Sequence, residues 1–221
     1  MNTTETTEEI CSRLNLAFQG ERLAGIAERV DRDARHRNAE NLIRSKELLR
    51  ASGIPLRHSR SPHLQDDDWH AALELASSRT DGIWVVHGLP GTGKTQLGVE
   101  AIRASCEAGQ SAQWVTAADM LITLRDCFRA DSKRDEIETL NSFTSKKLLV
   151  IDEFHRRKGS DWDQQIIFQI VDRVYFRMHR LIIITNQTEL EFTASTDAAM
   201  VSRIREVGGF IDCSWKSFRN P

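Results

Sequence analysis

Eight residues constrain this chain more than any others. Gly88-Leu89-Pro90-Gly91-Thr92-Gly93-Lys94-Thr95 fits the pattern G-x-x-x-x-G-K-[ST] at every fixed position. The apolar run Ile83-Trp84-Val85-Val86 precedes it and reads as a buried strand, and a helix from Lys94 to about Cys106 follows. In that frame each residue has a physical task. The glycines let backbone N–H groups turn inward around phosphate oxygens, Lys94 sets a charge on the β- and γ-phosphates, and Thr95 offers a hydroxyl to Mg²⁺. The helix that starts here aims its positive end at the anion. Gly88, Pro90, Gly91, Thr92, Gly93, Lys94 and Thr95 are therefore the candidate ATP-binding residues.

The rest of the chain repeats the alternation. Ala112–Thr116 is a second strand, and Ala117, Leu121, Leu124 and Phe128 mark one face of the helix after it. Leu148–Ile151 is a third strand, and Ile166, Ile167, Ile170, Val171 and Val174 give a long helix. Leu181–Ile184 is a fourth strand, with a fifth around Phe210-Ile211. Short apolar strands separated by helices predict an α/β fold: a parallel five-stranded sheet with helices on both faces.

A phosphate loop needs an acid for Mg²⁺ and a group that orients water. Asp152 and Glu153 end the third strand, at the edge where open α/β sheets bind ligands. Asp152 is the magnesium-side acid, acting through water, and Glu153 the base. Asn186 closes the fourth strand, placed to hydrogen-bond the attacking water or the γ-phosphate, with Thr185 as second choice. Asn is also favoured simply as the start of a turn.

Before the sheet, residues 1–55 read as a helical N-terminal arm. Leu23, Ile26 and Val30 sit at i, i+3, i+7, and Ser52-Gly53-Ile54-Pro55 stops the helix. Between residues 11 and 60 there are 11 Lys+Arg against 6 Asp+Glu, a basic arm suited either to docking a partner or to packing as a solvated helix. Residues 56–80 read as a linker and a helix from about 69 to 79, and 81–221 as the nucleotide-binding domain. The formal net charge of −2 confines any nucleic-acid contact to local patches. Four separated cysteines make no zinc pattern and predict reduced thiols. No apolar run approaches the ~20 residues of a membrane span, and the polar, acidic start does not read as a signal peptide. The expected location is the cytoplasm of a bacterial cell, or of the host if the chain is phage-encoded.

The phosphate loop, Leu148–Glu153, Ile182–Asn186, Met200–Glu206 and Trp215–Arg219 together resemble the DnaC/IstB-like branch of the AAA+ ATPases, as does Gly53–His58 ahead of the core. The resemblance implies an AAA+ P-loop fold over roughly residues 80–219, with the helical lid reduced or absent. It implies that Arg203 is an arginine finger completing a neighbour's ATP site, with Arg205 as fallback, and hence self-association through Arg203. It implies that Arg219 contacts nucleotide within its own chain. Phe128, Ser160 and Trp162 match positions that touch single-stranded DNA, and Arg156, Arg157 and Lys158 can meet phosphates. Phe128 also continues the apolar stripe from Ala117, which favours the core, and Trp162 also starts a helix with a buried face.

Four functions follow. One is an ATPase that loads a hexameric replicative helicase, gripped by the N-terminal arm, onto single-stranded DNA. A second is an IstB-like transposition helper acting with a transposase. A third is a small-molecule phosphotransferase, which needs neither Glu153 beside Asp152 nor Arg203. The fourth, a module that holds ATP without hydrolysing it, does not account for the full set Lys94, Thr95, Asp152, Glu153 and Asn186.

Overall fold

The computed structural model describes residue 29 and residues 35–60, 66–77, 81–129, 132, 135–156 and 160–219. Its contacts divide the chain into two units, Met1–Arg44 and Ser45–Pro221. In the first, residues 35–44 are helical with exposed side chains, Leu42 and Ile43 among them. The expected stripe of Leu23, Ile26 and Val30 lies outside the described residues.

The second unit is built on five parallel strands: β1 (Gly82–His87), β2 (Ala112–Thr116), β3 (Leu148–Asp152), β4 (Arg180–Ile184) and β5 (Gly209–Asp212). Their order across the sheet is β2-β3-β4-β1-β5. Side chains alternate between two cores, as a pleated strand requires. Ile83, Val85, Leu149, Ile151, Leu181 and Ile183 enter one, and Trp84, Val86, Leu148, Val150, Ile182 and Ile184 the other. Burial on both faces explains the unbroken apolar runs by which the sequence betrayed these strands.

Helices α1 (Asp67–Ser77) and α2 (Lys94–Glu107) cover one face; α3 (Ala117–Arg125), α4 (Glu136–Thr144), α5 (Asp161–Phe176), α6 (Glu189–Ala194) and α7 (Ala198–Val207) supply the other core. Helix α2 lies close on the sheet at Gly98, where a Cβ would come within 2.9 Å of both Ile184 Cδ1 and Val150 Cγ1. That close seat brings the start of α2 over the carboxyl ends of β1 and β3.

Residues 45–51 are helical, and Leu48, Leu49 and Ile54 pack with the α1–α2 core. The backbone N–H of Trp114 donates to Ser52 O at 2.7 Å. This unit therefore begins before the boundary at residue 55 read from the sequence, and the helix read from about 69 to 79 is α1, whose Trp69, Ala72 and Ala76 are buried in the same core. One further expectation is corrected. Phe128 is not in the core but 60% exposed, because α3 ends at Arg125 and a 3₁₀ turn over Asp126–Phe128 rotates the ring off the buried stripe.

Candidate nucleotide site

The eight-residue loop joins β1 to α2 and turns through positive φ at Gly88 (128°), Gly91 (92°) and Gly93 (81°). At Gly91 a side chain is excluded twice over, by φ and by Ser217 Oγ, which a Cβ would crowd. Lys94 Nζ donates to Gly88 O at 2.8 Å and to Leu89 O at 2.6 Å, so loop carbonyls hold the lysine. Burial pushes the Lys94 ammonium below its ordinary pKa, opposed by Cys213 and Asp152. Burial also pushes the Cys213 thiol up to about 12, which leaves it neutral, so the anion that supports Lys94 is Asp152.

Asp152 sits at the end of β3, 5% exposed. Thr95 Oγ1 donates to its Oδ2 at 2.9 Å, and the Glu153 N–H donates to its Oδ1 at 2.7 Å. Burial raises the Asp152 pKa, against the lowering effect of those two hydrogen bonds. One hydroxyl and one carboxylate side by side suit Mg²⁺, which takes few protein ligands and fills its shell from water and phosphate oxygens. Glu153 follows in the left-handed region, φ 53°, a strained conformation for a residue with a side chain. The turn sets it beside Asp152 on the wall of a cavity of ≈ 390 Å³.

That cavity is lined by most of the nucleotide-site residues picked from sequence: Pro90, Gly91, Gly93, Lys94, Thr95, Asp152, Glu153, Thr185, Asn186 and Arg219. Thr92 is buried in the same loop, where its hydroxyl donates to Leu89 O at 3.0 Å. His58, Gln96, His155 and Phe218 line it too and were not anticipated as site residues. His58 Nδ1 lies 3.1 Å from Gln96 Oε1, so the turn Leu56–Ser59 rests on the first turn of α2. His155 meets Asn186: the Asn186 backbone N–H donates to His155 Nδ1 at 3.4 Å, and the carboxamide nitrogen lies 3.3 Å from Nε2. A ring that accepts at Nδ1 carries its proton on Nε2, which asks for the amide oxygen at that position, reached by an amide flip.

Other residues stand apart. Arg203 lies on α7, 2.8 Å from Asp172 of α5 and stacked over Phe168 and Tyr175, with its Cζ at 5.0 and 5.8 Å from the ring centres. Arg205 pairs with Glu189 at 3.1 Å. Phe128 and Trp162 meet edge to face at 6.0 Å, and Arg125 lies 5.0 Å over the Trp162 ring while pairing with the buried Asp163. Ser160 caps α5 in a reciprocal capping box with Asp163. Arg156 closes a 3₁₀ turn, and Arg157 and Lys158 lie outside the described residues.

Residues 28–205 match the family model described as IstB-like ATP binding protein. The chain belongs to this family, within the DnaC/IstB-like AAA+ ATPases. It is similar to the replicative helicase loader DnaC of Escherichia coli (strain K12), 30% identical over 138 residues, which are 62% of this chain and 56% of that protein. The chain thus spans little more than half the length of that DnaC. Its fold is like that in a crystal structure of the DnaC helicase loader (TM-score 0.55, 18% identity, 72% of this chain and 99% of that one). It is also like AMPPCP-bound DnaA from Aquifex aeolicus (TM-score 0.58, 18% identity, 68% of this chain and 48% of that one).

This AAA+ domain carries a buried carboxylate whose charged form burial disfavours. The raised Asp152 pKa means that its contribution to stability is complete below the unfolded value, ~3.9, and is lost as pH rises through the folded one. At neutral pH the charge therefore opposes folding. Asp152→Asn keeps both hydrogen bonds, with its oxygen facing the Glu153 N–H and its nitrogen donating to Thr95 Oγ1. The variant should melt at a higher temperature than wild type at pH 7 without nucleotide, with a smaller gain at pH 4; calorimetry showing a lower melting temperature at pH 7 would contradict this.

Proposed function

We propose that this chain is an ATPase that loads a hexameric replicative helicase onto single-stranded DNA. The observation that carries the ATPase reading is the junction of Thr95 and Asp152 at 2.9 Å, with Lys94 and Glu153 on the same cavity wall. The loader reading rests on similarity to DnaC over the ATPase part. In this reading Lys94 leaves the carbonyls of Gly88 and Leu89 for the β- and γ-phosphates of the substrate. Thr95 and Asp152 would hold Mg²⁺, which neutralises phosphate charge. Glu153 takes the proton of the attacking water, and Asn186, steadied by His155, orients that water. Arg219 approaches the phosphates from the segment that crosses the loop.

Arg203 acts on the neighbouring protomer's nucleotide by giving up Asp172, a partly exposed partner that holds it weakly. The exposed ring of Phe128 and the adjoining Trp162 offer faces on which bases stack, with cations of the loop after β3 meeting phosphates. Action with a transposase is the second reading, favoured by the IstB-like description of the family model. The protein works in the cytoplasm in either case.

Glu153→Gln should bind ATP as wild type does and hydrolyse it about 100-fold or more slowly, the usual cost of losing a general base. Phosphate release at the wild-type rate would remove Glu153 from that role.

The trans finger is tested by mixing. Arg203→Ala should bind ATP normally and hydrolyse it poorly, and adding Lys94→Ala protein, which still carries Arg203, should restore part of the activity. If the mixture is no more active than its parts, Arg203 does not act across an interface.

The partner is tested by light scattering across size-exclusion fractions, with the protein, ATP, Mg²⁺ and the host's hexameric helicase combined. A complex heavier than the helicase alone, lost on deleting residues 1–44, which leaves the nucleotide-binding unit whole, is the expected result. A helicase peak of unchanged mass would transfer the proposal to the transposase partner.

A further inference from the structure

Three consecutive carbonyls of the phosphate loop are held from outside the loop. The Phe218 N–H donates to Gly91 O at 2.9 Å, and the Trp215 indole N–H donates to Thr92 O at 2.8 Å. The Trp69 indole N–H donates to Gly93 O at 3.2 Å, sharing that oxygen with the Leu97 N–H of α2. Trp69 is fully buried in α1, and Trp215 and Phe218 pack on the same core from the segment after β5. Two parts of the chain far apart in sequence thus converge on the back of one loop.

Peptide geometry turns this into a statement about the front. In a trans peptide the C=O of one residue and the N–H of the next point in opposite directions. Fixing the oxygens of Gly91, Thr92 and Gly93 therefore aims the N–H groups of Thr92, Gly93 and Lys94 the other way. Aligned N–H groups repel one another and favour a tight turn only when an anion sits among them. Donors on the carbonyl side offset that cost before the anion arrives, and a preorganised site binds more tightly because less ordering remains to be done.

We propose that Trp69 and Trp215 are positioning residues for the nucleotide: their indole N–H groups hold the phosphate loop in its binding shape, so that α1 and the segment after β5 set its affinity. The proposal rests on the nucleotide-site reading above. It adds that loop shape is imposed by residues outside the motif. Neither Trp69 nor Trp215 lines the cavity.

The chain contains its own controls. Of its five tryptophans, Trp84 and Trp114 carry buried indole N–H groups with no hydrogen-bond partner among the described residues. A Trp→Phe change at those positions removes aromatic bulk and an N–H without removing a bond to the loop. Affinity for a fluorescent N-methylanthraniloyl ATP should fall about fivefold in Trp69→Phe and in Trp215→Phe, the usual worth of one hydrogen bond. The double variant should lose roughly 25-fold if the two bonds act independently. Trp84→Phe and Trp114→Phe should stay within about twofold of wild type whatever their melting temperatures, the scatter of a substitution that removes no bond.

If the control variants weaken binding as much as the test variants, or the test variants bind within that twofold margin, the indoles do not position the loop. Should Trp69→Phe fail to fold, wild-type protein decides. Non-hydrolysable ATP should slow hydrogen exchange at the indole N–H groups of Trp69 and Trp215 and not at those of Trp84 and Trp114; equal slowing at all four overturns the proposal. Wild-type protein that does not bind the fluorescent nucleotide would instead sink the nucleotide-site reading itself.

Discussion

Burying a lysine and an aspartate together at one edge of a sheet is unfavourable, and much of this structure is arranged around that fact. Burial moves each toward its neutral form: the Lys94 pKa falls and the Asp152 pKa rises. Their partners within the chain are modest, two loop carbonyls for the lysine and one hydroxyl and one backbone N–H for the carboxylate. A phosphate with a divalent cation would compensate both charges at once. The chain by itself therefore carries a cost at this site that such a ligand would offset. The parallel sheet makes the cost bearable. It fixes β1 and β3 through long buried ladders with β4, so their carboxyl ends cannot drift apart to relieve it.

The strands and the motif were legible in the sequence for the same physical reason. Buried on both faces, Ile83–Val86, Leu148–Ile151 and Leu181–Ile184 carry unbroken apolar runs, and the loop between β1 and α2 admits few substitutions. Helix α4 escaped notice. Only Leu140, Phe143 and Thr144 are buried in it and Ile137 is exposed, so its apolar stripe is too short to stand out, although Asp135 caps it through the Glu138 N–H. Helix α6, only six residues long, was missed likewise, despite the reciprocal cap between Thr188 and Glu191. Phe128 shows the limit of periodicity. The spacing from Ala117 through Leu124 is helical, but spacing says nothing about where a helix tightens into a 3₁₀ turn, and one such turn exposed the ring.

The site was half legible. Residues that a motif fixes by number, Pro90, Gly91, Gly93, Lys94 and Thr95 with Asp152 and Glu153, line one cavity. Residues that reach it through tertiary structure left no local signal. His155 meets Asn186 because β3 and β4 run in register from Leu148 against Arg180 to Ile151 against Ile183, so the loops that leave them emerge side by side. Trp69 stands at the start of the helix read from about 69 to 79, and only the packing of α1 on α2 carries its indole to Gly93. Trp215 belonged to a recognised motif, yet its bond to Thr92 spans 123 residues of sequence.

Arg203 raises a different question, since in this chain it is committed elsewhere. Its guanidinium faces Asp172 and two aromatic rings of α5, a setting that by itself describes a structural residue. The balance is close, however. Both partners are about a quarter exposed, and Asp172 Oδ1 has no well-directed hydrogen bond even though Arg203 Nη2 is 2.8 Å away. A short but misaligned ion pair near water contributes little. A phosphate chain offered by another protomer presents more charge and room for the paired, planar bonds that a guanidinium prefers. If Arg203 completes a neighbour's site as proposed, the contact with α5 would act as a holster, holding the guanidinium at small cost until a stronger anion competes for it.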